Sequence, residues 1–117
     1  MIIESKFIPN LNTDIEFFIG QNAKDNFEVI DSAEPNDIWF HVKDHSSSHV
    51  IAHLPEEHEF NKKQLRYIIK QGAILCKQHS KFKSSKNINI IYTNVENITK
   101  TNIPGQVHTI NTKELSI

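Results

Sequence analysis

The sequence contains few cysteines, few glycines and no long apolar run. Cys76 is the single cysteine among 117 residues, which leaves no disulfide framework within the chain. No apolar stretch approaches the ~18 residues of a membrane span, and no segment resembles a secretory signal. The three glycines form no phosphate-binding P-loop, dinucleotide motif or nucleophile elbow. We therefore expect one soluble cytoplasmic domain, residues 1–117, that needs no cofactor and does not bind membranes.

Arginine is nearly absent as well, because Arg66 is the only one. Lysine contacts phosphates as a point charge, whereas arginine reads guanine edges with two hydrogen bonds. The net charge of −1 hides a division along the chain: residues 1–60 carry three Lys and twelve Asp or Glu, whereas residues 61–95 carry seven Lys, one Arg and no acid. This asymmetry indicates a surface that faces a polyanion, unless folding brings the two halves together and neutralises them.

Hydrophobic periodicity predicts an α+β fold, with two helices packed on a mainly antiparallel sheet in the order β-β-α-β-β-α-β-β. Asn61 and Gln64 form a capping box at the start of the second helix, and Pro35-Asn36 ends the first. Residues 94–103 are expected to be irregular. The predicted strands are 3–8, 15–19, 37–43, 48–54, 88–93 and 107–117; the predicted helices are 21–33 and one that begins after Asn61.

Polar side chains interrupt the apolar pattern of the third and fourth strands. Asp37, Trp39 and His41 alternate along one strand, and Ser48-His49-Val50 opens the next. This Asp-x-Trp-x-His and Ser-His-Val pattern resembles the RNA-binding (R) domain of the NFACT family, whose members act in ribosome-associated quality control. The resemblance extends over nearly the whole chain, through Gly20-Gln21-Asn22-Ala23 with Asn26, Tyr92-Thr93 and Pro104-Gly105-Gln106-Val107.

The resemblance implies a non-catalytic domain that binds structured RNA, such as tRNA or ribosomal RNA, and that meets the ribosome. The sequence departs from the family at Gln21, where many members have Arg, and at Ser46-Ser47, where many have Pro-Gly. Longer members place the R domain behind an N-terminal domain and a coiled coil that support peptide tailing. Those segments are not in this sequence, so we expect a stand-alone R domain without tailing activity.

Basic residues on the second helix and in the segment after it are the predicted RNA contacts. On the helix, Lys62, Arg66 and Lys70 recur every four residues and form one stripe, to which Lys77 returns. We expect Arg66→Glu together with Lys70→Glu to weaken RNA binding severely and to flatten its salt dependence. Phe82, between lysines, could stack on a base or anchor its loop, and Lys24 could assist a phosphate near Gly20-Gln21-Asn22. The full predicted set is Lys24, Lys62, Lys63, Arg66, Lys70, Lys77, Lys81, Phe82, Lys83 and Lys86.

Other functions stay open from the sequence alone. Asp37, His41 and His49 could form an acid/base site of an RNA-processing enzyme if they meet across a hairpin, or a buried polar network on which Trp39 packs. The histidines at positions 41, 45, 49 and 53 are spaced by four, but the residues between them favour strand and turn, so we expect no metal site. A protein-interaction adaptor and a DNA-binding domain are further alternatives. The sequence does not indicate an oligomeric state.

Overall fold

The structure, a computed structural model, describes all 117 residues and confirms an α+β fold. Short 3-10 turns occupy Pro9–Leu11 and Val95–Asn97. The two helices are α1 (Ala23–Asp31) and α2 (Lys62–Gln78). The strands are β1 (Ile2–Ile8), β2 (Thr13–Ile19), β3 (Ile38–Val42), β4 (Val50–His53), β5 (Asn89–Asn94), β6 (Ile98–Lys100), β7 (Val107–Thr109) and β8 (Lys113–Ser116).

Six strands form one antiparallel sheet in the order β1-β2-β4-β3-β5-β8, and β6 pairs with β7 in a separate hairpin. The predicted order is confirmed up to β5, but the last part of the chain contains more strands than expected. Residues 94–103 include β6, and the strand predicted over 107–117 is divided in two. Asn111 has a positive φ of 54°, which turns the chain out of β7 and into β8.

Helix α2 covers one face of the sheet. The predicted capping box is confirmed, because Asn61 and Gln64 exchange side-chain and backbone hydrogen bonds at its first turn. The buried face of the helix contacts core residues of the central strands. At Gly72 the helix comes so close to the sheet that an added Cβ would lie 2.2 Å from the Phe40 ring. Glycine at this position therefore sets how closely α2 packs on β3.

The opposite face of the sheet carries α1 and the β6–β7 hairpin. A second apolar cluster fills this layer, where Val29 of α1 packs with Phe18, Trp39, Ile51 and Val95. Because side chains alternate between the two faces of a strand, Trp39, His41 and His49 point into this layer and away from α2. Neither helix has the length and apolar composition that crossing a membrane requires.

Candidate nucleic-acid interface

An open groove of about 1110 Å³ lies at one end of the sheet, on the face that carries α1. Its floor is formed by Trp39, His41 and His49. Four loops form its walls: residues 21–23 at the start of α1, 44–48 between β3 and β4, 79–81 after α2, and 103–107 between β6 and β7. Most of the segments that carry the family resemblance, far apart in the sequence, therefore meet at this one groove.

Trp39 and His49 are both about 1% exposed and are held in place by one hydrogen bond. The indole Nε1 of Trp39 donates to Nδ1 of His49 over 3.1 Å. An indole N–H can only donate, so Nδ1 of His49 is unprotonated and the ring proton is on Nε2. The backbone of Gly105 lies near the ring and acts to raise its pKa. His49 thus links the sheet to the β6–β7 turn. Trp39 is therefore a core residue of the second apolar cluster.

His41 lies between Trp39 and the solvent. Its ring stacks on the indole with a centroid distance of 5.6 Å and meets the His49 ring edge-on at 5.0 Å. Its Nδ1 lies 2.6 Å from the carbonyl oxygen of Val42 and donates to it. Nε2 of neutral His41 therefore remains as an acceptor at the groove.

Both histidines are neutral at pH 7. Burial lowers the pKa of His41, although its hydrogen bond to Val42 acts in the other direction. Burial, followed by the charge of His41, lowers the pKa of His49 to about 3. Cleavage of a phosphodiester by two histidines needs one of them protonated as the general acid near neutral pH. Burial of this pair disfavours that protonated form.

Asp37 lies apart from the two histidines, so the acid/base set of Asp37, His41 and His49 is not assembled. Four residues of extended strand separate Asp37 from His41, about 13 Å at ~3.3 Å per residue. The Asp37 carboxylate is buried and accepts hydrogen bonds from the backbone N–H groups of Glu34 and Leu54, both at 2.9 Å. Its Oδ2 also lies 2.8 Å from Nδ1 of His53. Asp37 is thus a structural residue that ties the α1–β3 loop to the end of β4.

Replacing Asp37 by asparagine should destabilise the fold by about 1–3 kcal/mol, because the amide offers one acceptor oxygen where two backbone N–H groups each bond to a different carboxylate oxygen. Urea denaturation followed by circular dichroism measures this loss. The groove lies at the other end of β3, so the same variant should bind nucleic acid normally when it is folded. A variant of unchanged stability would contradict the structural role of Asp37.

The start of α1 is fixed to the start of β4 by Asn26. Its side-chain oxygen accepts from the backbone N–H of His49 at 3.0 Å, and the N–H of Gly20 bonds to the carbonyl of His49 at 3.0 Å. A Cβ on Gly20 would lie 2.1 Å from the same Asn26 oxygen. Gly20 and Asn26 therefore place residues 21–23 at the wall of the groove. Lys24 is exposed in the first turn of α1, next to this wall.

The basic stripe, defined as Lys62, Arg66, Lys70 and Lys77, lies on the outer surface of α2. The first three and Lys63 are exposed, whereas Lys77 is half-buried and its Nζ donates to the carbonyl oxygen of Ile117 at 3.0 Å. The stripe faces away from the sheet, and its first residue lies about 24 Å along the helix from the groove end. No lysine or arginine between positions 62 and 86 lies within 4 Å of an Asp or Glu carboxylate, although His79 lies 3.6 Å from Glu4.

The basic loop, residues 80–86, continues from α2 into the wall of the groove. Lys81, Lys83 and Lys86 are exposed, and Lys81 lines the groove itself. Phe82 is half-buried, packs against the main core, and meets the His45 ring with a centroid distance of 4.6 Å. Phe82 thus anchors the loop to the β3–β4 turn, and base stacking by Phe82 stays a prediction.

Ser48 and two other histidines complete the junction between these walls. The Ser48 hydroxyl lies 3.4 Å from the carbonyl oxygen of His79, and both His45 and His79 line the groove. His45, His79 and Gln106 were not among the predicted site residues; Gln106 belongs to the Pro104–Val107 family motif, and no sequence signal indicated His79. No three His, Cys, Asp or Glu side chains converge in a way that could hold a metal ion.

The family described as the NFACT protein RNA binding domain matches this chain over residues 7–110. The chain belongs to this family. The predicted resemblance is confirmed, and the matched residues include the groove floor, all of its walls, α2 and the basic loop. This NFACT RNA-binding domain is therefore a nucleic-acid-binding module, with RNA as its partner.

The NFACT RNA-binding domain is similar to several proteins named Coiled-coil domain-containing protein 25. It is 35% identical to the protein from Danio rerio over 89 residues, which are 72% of this chain and 41% of that relative. It is 31% identical to the Dictyostelium discoideum homolog and 32% identical to the Bos taurus protein, each over 91 residues, again 72% of this chain. The chain spans about two fifths of the length of these curated relatives.

One solved structure shares the fold of the NFACT RNA-binding domain. It is the C-terminal part of the fibronectin/fibrinogen-binding protein from Streptococcus suis, with a TM-score of 0.79. The match covers 98% of this chain and 45% of that chain at 21% sequence identity. At this identity the similarity concerns the fold alone.

Proposed function

We propose that this domain binds structured RNA, such as tRNA or ribosomal RNA, in translation or ribosome-associated quality control in the cytoplasm. The RNA enters the groove along the basic loop, and the basic stripe of α2 adds contacts to phosphates farther along. Lys62, Lys63, Arg66, Lys70, Lys77, Lys81, Lys83, Lys86 and Lys24 are the proposed phosphate contacts. The domain acts by binding and not by catalysis.

The observation that supports this proposal is the set of unpaired basic side chains that leads into the groove. Folding does not neutralise the basic segment of the chain through ion pairs, since no carboxylate lies within 4 Å of these side chains. When unpaired lysines of a helix and its following loop bind phosphates, they release the cations condensed on the nucleic acid, and this favours binding to any polyanion. The adjacent groove adds a concave surface into which part of the RNA fits, which a basic surface alone does not provide.

The charge along α2 favours the groove end of this surface. Glu56, Glu57 and Glu59 precede the helix and partly offset Lys62 and Lys63 at its start. No acidic residue lies near the other end of the helix in the sequence, where Lys81, Lys83 and Lys86 follow. In space, Glu4 lies 3.6 Å from His79 and Asp44 lines the groove, but Lys81, Lys83 and Lys86 outnumber them, so we expect the strongest phosphate contacts from the basic loop.

The groove favours structured RNA over a specific base sequence. Its walls present hydroxyl and amide groups, from Ser46, Asn22 and Gln106, and its floor presents the free Nε2 acceptor of neutral His41. Such groups pair with ribose 2′-hydroxyls, which distinguish RNA from DNA. With Arg66 as the only arginine, bidentate reading of guanine contributes little.

Fluorescence-anisotropy titrations with tRNA, a single-stranded RNA and duplex DNA at several salt concentrations test this function. We expect tRNA to bind at least about tenfold more tightly than the other two, with an affinity that falls steeply as salt rises. Equal affinity for duplex DNA would show that the domain binds polyanions in general and does not select structured RNA. No binding at low salt would contradict the proposal and favour a protein-interaction adaptor.

The same RNA serves to test the catalytic alternative. When the wild-type domain is incubated with labelled tRNA at pH 5–8, the tRNA should keep its full length on a denaturing gel. His41→Ala is the control, because it removes the more exposed of the two histidines while leaving the bond between Trp39 and His49. Cleavage that is lost in His41→Ala would identify an enzyme instead of a binding module.

A further inference from the structure

Strand β1 forms one edge of the main sheet, and its outer side has no partner strand in the chain. It is seven residues long and pairs with β2 along its whole length. Ile3 and Phe7, which lie on the face opposite α2, are 54% and 57% exposed. A long edge strand with exposed apolar side chains and unpaired backbone groups is a template for pairing with another strand.

The sequence of β1 is complementary to itself when two copies run antiparallel about Ser5. Residue i then faces residue 10 − i of the second copy. Glu4 faces Lys6 of the other copy and Lys6 faces Glu4, on the face next to α2. On the opposite face, Ile3 meets Phe7 of the other copy twice. Opposite charges and apolar pairs directly across an antiparallel ladder are the contacts that stabilise a sheet.

Neighbouring registers do not have this property. A shift of two residues, which keeps each side chain on its own face, brings Glu4 opposite the second Glu4 in one direction and Lys6 opposite the second Lys6 in the other. Lysine in an edge strand normally prevents pairing between copies. Here Lys6 prevents only the wrong registers, because Glu4 stands two residues away on the same face.

We propose that β1 is a self-association surface, on which a second copy of this chain pairs antiparallel about Ser5 and extends the sheet through both molecules. None of the residues that line the groove belongs to β1, so both grooves of such a dimer stay open. The dimer is thus independent of the proposed RNA function and would present two RNA sites on one continuous sheet.

Charge exchange between positions 4 and 6 tests this dimer. In sedimentation equilibrium, the wild-type chain should approach twice its 13.5 kDa mass as concentration rises. Glu4→Lys and Lys6→Glu should each raise the dimer dissociation constant about tenfold, since each places like charges opposite one another twice. An equimolar mixture of the two variants should dimerise again, because one chain then carries two lysines and the other two glutamates.

The double variant Glu4→Lys/Lys6→Glu is the matched control, since it restores both the cross-dimer pairs and the 3.7 Å pair between the two side chains within one strand. It should dimerise like the wild type. Glu4 also lies 3.6 Å from His79, a contact that only Glu4→Lys removes, so equal effects of the two single variants exclude a local cause. The proposal is overturned if the chain stays monomeric at all concentrations, or if the dimer dissociation constant does not change in the charge-exchange variants.

Cross-linking establishes the register. Ser5→Cys places two thiols directly opposite each other, at a separation that a disulfide can span, so mild oxidation should give a covalent dimer. Ile3→Cys is the control, because the same register keeps its two thiols about 13 Å apart along the strands. Cys76 is buried and does not compete. Cross-linking of Ile3→Cys but not of Ser5→Cys would show that the strands pair in another way.

Discussion

Changing both Lys81 and Lys83 to glutamate should raise the dissociation constant for tRNA about 30-fold at 0.15 M salt. Each substitution removes a proposed phosphate contact of the basic loop, of which Lys81 lines the groove, and adds a repelling charge there. The slope of log K against log salt concentration should become shallower by about 2, one released counterion for each lost contact. Anisotropy titration at four or more salt concentrations measures both quantities.

Changing Lys100 and Lys113 to glutamate alters the net charge equally and serves as the control. Both are exposed and lie outside the groove, the basic loop and α2. We expect this control to lose no more than about threefold in affinity, because position and not total charge decides a phosphate contact. Arg66→Glu with Lys70→Glu measures the contribution of the basic stripe in the same assay. Equal losses in the loop variant and the control would remove the support for a localised site.

Acid should destabilise the domain through His49 in particular. In the unfolded chain His49 takes up a proton below about pH 6.5, whereas burial lowers its pKa in the folded protein to about 3. The unfolded state therefore binds more protons between these values, and stability is lost as the pH falls from about 6.5 to about 3. The loss approaches ~1.4 kcal/mol per pH unit in the middle of this range and amounts to several kcal/mol in total.

Urea denaturation from pH 7 to pH 4 measures this loss, and His49→Asn separates it from the effect of carboxylate protonation. Asparagine can keep an acceptor close to the Nδ1 position for the indole N–H of Trp39 but does not titrate. The variant is expected to be less stable at pH 7 and to lose stability less steeply with acid. A variant whose stability falls as steeply as that of the wild type would show that His49 is not the responsible group.

Local sequence signals predicted the elements of this fold well. The capping box of Asn61 and Gln64 fixed the start of α2, and alternation in Asp37–His41 placed Trp39 and His41 on one face of β3. The positions of glycine, proline and asparagine did not predict how many strands follow β5. Strands β6, β7 and β8 are short, and each forms only because it pairs with another strand. The turn at Asn111 that separates β7 from β8 is also held by Thr93, 18 residues earlier, which bonds to the carbonyl of Asn111.

The groove could not be derived from local patterns, since its four walls come from positions up to 86 residues apart. The family resemblance included most of those segments but did not indicate that they lie together around one groove. Asp37 illustrates the difference: it stands four residues from His41 in the sequence, yet strand geometry directs it to His53 at the other end of the hairpin. Residues of one short sequence motif, such as Asp37 and His41, can therefore lie too far apart along a strand to act together.

The close contact between Gly72 and Phe40 makes the helix and the sheet a single rigid body, in which α2 cannot slide without displacing a central strand. The helix surface that carries Lys70 and the groove on the other face of the sheet therefore keep a fixed separation, and under the proposed function they set one spacing for phosphate contacts. A folded RNA that already has this spacing binds without rearrangement, whereas a flexible strand must first lose its freedom to adopt it. On this proposal, the absence of a side chain at Gly72 contributes to the preference for a folded RNA.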